Sequence, residues 1–150
     1  MNSPDRLAPL RRRAALLEEQ AAQSLAATLA RHAQAEARHA ELCRYEAEYA
    51  ERALPGRTAV LALRQQSAFL ARLREAVSFQ AERRRRCAAE VEQQRERWLA
   101  AHREVEKLDL LAAQFARQLQ LREQRRQSRD MDEAALRAHR GAACGLLGAS

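Results

Sequence analysis

The sequence predicts an all-α protein: a two-helix antiparallel coiled-coil hairpin with a longer second helix and a short C-terminal helix. Three observations predict it. First, Ala, Leu, Arg, Glu and Gln dominate the 150 residues, while four Gly, three Pro and 4% aromatics leave little material for turns or a layered core. Second, one strong breaker, Leu54-Pro55-Gly56-Arg57-Thr58, interrupts the chain before its last ten residues. Third, mostly apolar residues recur on a seven-residue period, which keeps one stripe of a helix turned toward a partner and favours a left-handed supercoil.

The first helix is expected over 4–53. Ser3 can accept from the first free backbone N–H groups as N-cap, and Pro4 fits the first helical position because its missing N–H costs nothing there. Leu7, Leu10, Ala14, Leu17, Ala21, Ser24 and Thr28 hold a heptad register; Arg31 and Arg38 interrupt it, and Ala35, Leu42, Tyr45 and Tyr49 resume it. The bend follows at 54–58, where Pro55 restricts Leu54 and Gly56 permits a reversal. Thr58 is a candidate N-cap for the second helix, expected over 59–127. Its register runs from Leu63 to Leu119 through Leu70, Leu73, Val77, Val91, Trp98 and Val105, with Cys87 at a core position as a small hydrophobe.

Asp130 followed by Glu133 reads as a capping box that restarts a short helix over 131–140, and the Gly-containing tail 141–150 reads as disordered. Residues 4–140 then form one hairpin. Folding back near residue 56 would place Leu10 opposite Ala101 and leave everything beyond Leu108 without an intramolecular partner. The stripe Leu108, Leu111, Phe115 and Leu119 would therefore need a second molecule.

The net charge of +7 arises from 27 basic and 20 acidic residues, and all the basic residues but Lys107 are Arg. Arg alternates with Glu over all helical faces, the pattern of a solvated, self-paired surface rather than a nucleic-acid interface. The run Arg83-Arg84-Arg85-Arg86 is the sharpest basic cluster, but four consecutive residues spread around a helix, and no aromatic interleaves with them for base stacking.

Three cysteines without CxxC spacing, and no signal peptide, point to free thiols in a reducing cytoplasm; no apolar run reaches the ~18 residues of a membrane span. The four glycines cannot build a phosphate loop, so ATP hydrolysis is not expected, nor any catalytic residue or cofactor. His39 and Cys43 share a helical face but lack a second ligand pair, so no metal site is expected; His32, His102 and His139 read as surface residues. Phe69 and Phe79 fall off the seam. Exposed aromatics near the bend are candidates for a docking surface.

Leu42-x-x-Tyr45-x-x-x-Tyr49 before the bend, Phe69-x-x-x-Leu73-x-x-Ala76 after it, Trp98 ahead of a charged helix and a Met131-Asp132-Glu133 ending together resemble the flagellar export protein FliJ family over about residues 5–138. The resemblance implies a non-catalytic coiled-coil stalk of the flagellar export apparatus, similar to the rotor stalk of rotary ATPases, cytoplasmic and peripheral to the inner membrane. It implies an export-gate patch at Leu42, Tyr45, Tyr49, Phe69, Leu73 and Ala76, with Arg38 and Gln80 departing from the family pattern at its edges. It further implies that the end carrying both termini meets a hexameric export ATPase, for which Leu7, Leu10, Leu108, Leu111, Phe115 and Leu119 are the contacts to expect, and that export chaperones are further partners. The equivalent stalk of a virulence-type secretion system, a generic coiled-coil scaffold and a dimeric nucleic-acid binder are the alternatives.

Overall fold

The computed structural model describes residues 4–52 and 59–148. Two helices account for nearly all of them: α1, Pro4–Glu51, of 48 residues, and α2, Val60–Leu147, of 88 residues. The helices pack against each other, and no strand is present among the described residues. The predicted bend at 54–58, including Pro55, Gly56 and the Thr58 cap, lies outside the described residues, as do Ser3 and Ala53. Pro9 is accommodated inside α1, where it forfeits one backbone hydrogen bond in the second turn.

The expected short C-terminal helix is not a separate element. α2 continues through Gln127 and Asp130 to Leu147, and Gly141 and Gly145 lie within it rather than in a disordered tail. The capping-box pattern loses to continuity: no proline falls in this stretch, helix formers surround it, and Glu133 sits four residues before Arg137, with 3.4 Å between their charged groups.

The chain divides into two compact units, one of residues 13–104 and one that combines 1–12 with 105–150. In the larger unit the helices run antiparallel, with Glu18 beside His102 and Glu46 beside Arg74. The buried residues are few and mostly small: Ala14, Thr28 and Ala35 from α1, Gln80 and Val91 from α2. Ala14, Ala21, Thr28 and Ala35 stand seven apart, and side chains of this size allow close approach of the second helix. Thr28, 1% exposed, satisfies its hydroxyl by donating to the Ser24 carbonyl at 2.8 Å.

The other core position of α1 is not the expected one. Glu18, Leu25, His32, His39 and Glu46 are half-buried along the seam, whereas Leu10, Leu17, Ser24, Arg31, Arg38 and Tyr45, which share the expected heptad position, are exposed. With this register the seam is unbroken, and the apparent interruption at Arg31 and Arg38 disappears. His32 is accordingly a half-buried seam residue, and His102 is half-buried on the flank of the seam; neither is the surface residue expected. On α2 the expected seam holds from Gln66 to Phe115, while Leu63 and Leu119 at its ends are exposed.

The pairing along α2 also differs. In the unit built from the two ends, Arg11 meets Asp109 at 2.7 Å, where the expected fold had placed Ala101 beside Leu10, a shift of roughly one heptad. The fold axis is thus displaced toward α2. Leu108, Leu111, Ala112 and Phe115 are half-buried, so the uncovered part of α2 begins near residue 116 and not at Leu108.

The register makes a test. Leu25→Ala should lower stability by roughly 2 kcal/mol, whereas Leu17→Ala, at an exposed position, should cost well under about 1 kcal/mol. Thermal unfolding followed by far-UV circular dichroism reads the difference, and equal losses would return Leu17 to the seam.

Candidate docking surfaces

Heptad geometry sorts the expected patch residues into two kinds. Leu42, Tyr49 and Leu73 occupy seam positions and are half-buried, Ala76 is half-buried beside them, and Tyr45 and Phe69 stand on the flank at 48% and 49% exposure. All six lie in the larger unit. Tyr49 and Phe69 meet across the helices with ring centroids 4.6 Å apart and planes tilted by 51°, a favourable offset arrangement. Tyr45, Glu48, Tyr49, Arg52, Phe69 and Leu73 line a shallow, mostly apolar depression of about 180 Å³. Arg44 lies 5.8 Å from the Tyr45 ring centroid and Arg52 lies 6.0 Å from that of Tyr49, so cations rim the aromatic surface. The Tyr45 hydroxyl donates to Glu41 at 3.3 Å, and Arg74 meets Glu46 at 3.1 Å across the helices. Apolar rings with a charged rim suit a protein partner better than a small polar substrate.

Phe79 is more exposed still, at 68%, but its heptad position lies away from this patch. Trp98 is half-buried and stacks on His102, with centroids 5.0 Å apart and planes within 10°. His102 in turn meets Glu18 at 2.8 Å.

Of the six residues expected at the terminal end, the structure brings Leu7, Leu108, Leu111 and Phe115 into half-buried positions and leaves Leu10 and Leu119 half exposed. Leu110 and Leu121, absent from the expectation, are more exposed than most of that set, at 66% and 52%.

A second surface was not legible in the sequence. Arg31, Gln34, Ala35 and Arg38 of α1 and Gln80, Arg83, Arg86, Cys87 and Glu90 of α2 line a groove of about 320 Å³. The four-arginine run does not simply scatter: Arg83 and Arg86 turn to the groove, Arg84 lies over the seam with Nη1 3.4 Å from Nδ1 of His39, and Arg85 joins Glu82. Arg31 and Arg38 share one heptad position, and that spacing was the available signal once the seam was assigned correctly.

Cys43 lies 3.7 Å from Nε2 of His39, and Cys43, Cys87 and Cys144 are free thiols. No group of three or more His, Cys, Asp or Glu is placed to hold a metal ion among the described residues. No described helix is long and apolar enough to cross a membrane.

A sequence-family profile described as the flagellar FliJ protein matches residues 2–143. The chain belongs to the FliJ family. This membership gives it a role in flagellum biogenesis and bacterial flagellar protein export, in a family of non-enzymatic, cytoplasmic export components. No curated protein and no solved structure matches the chain.

The two tyrosines should respond differently to truncation. Tyr49→Ala removes an interhelical ring contact and should cost roughly 2 kcal/mol, while Tyr45→Ala should cost less than about 0.5 kcal/mol. Denaturant unfolding of both variants provides the check.

Proposed function

We propose that the chain is the non-catalytic coiled-coil stalk of the flagellar export apparatus, which binds the export gate and the hexameric export ATPase and assists delivery by export chaperones. The observation that carries this reading is the pair of half-exposed aromatics, Tyr45 and Phe69, at the edge of an apolar depression on an otherwise Ala-, Arg- and Glu-rich coil. Aromatic rings held rigidly by neighbours are the usual anchors of protein interfaces, since they bury much area at little entropic cost. In this reading Tyr45 and Phe69 contact the cytoplasmic linker of the gate, Tyr49 and Leu73 form the floor, and Leu42 and Ala76 position them.

The ATPase contact is assigned to the unit built from both ends. Leu7, Leu108, Leu111 and Phe115 hold its helices together, and Leu10 and Leu119 offer the accessible apolar surface toward the ring. Peripheral association with the inner membrane follows from the gate contact and requires no lipid-binding element of the chain itself.

Two experiments test the assignments separately. Tyr45→Ala combined with Phe69→Ala should weaken binding to the gate's purified cytoplasmic domain by about tenfold or more at a temperature where circular dichroism shows the helix content unchanged, although loss of the Tyr49–Phe69 ring contact lowers the melting temperature. Undiminished gate binding would remove the aromatic patch from the proposal. Leu10→Glu combined with Leu119→Glu should abolish co-purification with the ATPase ring while helix content stays as in the parent chain; retention of the ring would place the ATPase contact elsewhere.

A further inference from the structure

We infer that the mid-coil arginine groove is a binding site for an acidic helical segment of a partner protein, separate from the aromatic depression. Arg31, Arg38, Arg83 and Arg86 converge there from both helices, against a single acidic lining residue, Glu90. Arg38 and Arg83 have no acidic partner among the described residues, the Arg31 contact to Glu90 is long, at 3.8 Å, and Arg86 pairs with Glu82 at 3.4 Å. Guanidinium groups left without carboxylates are planar forks ready for bidentate acceptance of new ones.

The spacing selects the occupant. Arg31 and Arg38 are two helical turns apart on α1, about 10 Å along its axis, which matches carboxylates seven residues apart on a partner helix laid along the coil. The floor adds a second, independent requirement. Gln80 is only 9% exposed, and among the described residues its side-chain oxygen has no hydrogen-bond donor. A buried acceptor without a donor is unfavourable, and a protein segment can supply an amide or hydroxyl hydrogen together with its carboxylates. The phosphodiester backbone of DNA carries acceptors alone. Glu90 at the groove also opposes a continuous polyanion, and no aromatic residue lines it for base stacking. An acidic protein helix therefore satisfies the arginines, the amide and the local charge pattern together.

The probe is a fluorescent, alanine-rich 20-residue helical peptide with glutamates at seven-residue spacing, and the readout is anisotropy against the full chain at moderate salt. The expected result is saturable binding that Arg38→Glu with Arg83→Glu weakens about tenfold or more, and Arg38→Gln with Arg83→Gln weakens several-fold. The glutamine pair decides the question if charge reversal perturbs folding, which circular dichroism reports. Arg72→Glu with Arg103→Glu, the same charge change on exposed arginines outside the groove, should leave the affinity within about twofold, as should Tyr45→Ala with Phe69→Ala. Four outcomes overturn the inference: no saturable binding, equal loss in the Arg72 and Arg103 control, loss in the aromatic variant, or tighter binding of random duplex DNA than of the peptide through the same arginines. Gate binding is read separately, with the gate's cytoplasmic domain and the aromatic variant.

Discussion

The structure depends on one repeated constraint, a small side chain every seventh residue of α1. Ala14, Ala21, Thr28 and Ala35 present almost no bulk to α2, so in the larger unit the two backbones approach until Val91 and Gln80 are buried against them. Close approach substitutes for volume: a narrow seam of methyl groups excludes water without large cores. It also dictates what flanks the seam. With little width in the centre, residues one position aside project out along the coil, and these are the arginines of the groove and the rings of Tyr45 and Phe69. Both surfaces are by-products of the same packing rule.

The seam tolerates polar residues for a related reason. Glu18, His32, His39 and Glu46 alternate with the small residues, and each is half-buried rather than enclosed, so its polar end reaches water or a partner. Glu18 meets His102, and Glu46 meets Arg74, across the helices. Polar contacts at this exposure contribute at most about 1 kcal/mol each, yet they oppose slippage, because a one-heptad shift would separate both. Stability and register are therefore set by different residues.

That division explains what the sequence revealed. The heptads of α2 were legible because Leu70, Leu73, Val91, Trp98 and Val105 are apolar and sit where an apolar stripe should. Half of the α1 seam was legible through its alanines. The other half was not, because Leu10 and Leu17 are more hydrophobic than Glu18 and His32 and drew the register one residue off. Tertiary pairing overrode hydrophobicity there. The offset between helices was equally hidden, since it depends on how the chain reverses between Glu51 and Val60 and not on any pattern within the helices. Asp130 and Glu133 form a genuine capping pattern, but a capping pattern starts a helix only where something has stopped the previous one. For the docking surfaces, the motif residues 42, 45, 49, 69, 73 and 76 were readable in order; which of them reach the surface followed only from the corrected register.

From residue 116 to residue 147, α2 is exposed on every side. Its helicity there rests on local propensity and on pairs such as Glu133 with Arg137, without a packed face to lock it. Amide protons in this stretch should exchange through small, frequent openings, in contrast to the seam around Thr28, where exchange requires separating the helices. The protein thus carries a gradient of backbone order, from amides that open only with the coil to a terminal stretch that frays and reforms on its own. Whatever grips that stretch captures a helix already partly formed, so the entropy lost on capture is set by its alanines and by Gly141 and Gly145, where even an added Cβ would meet open space.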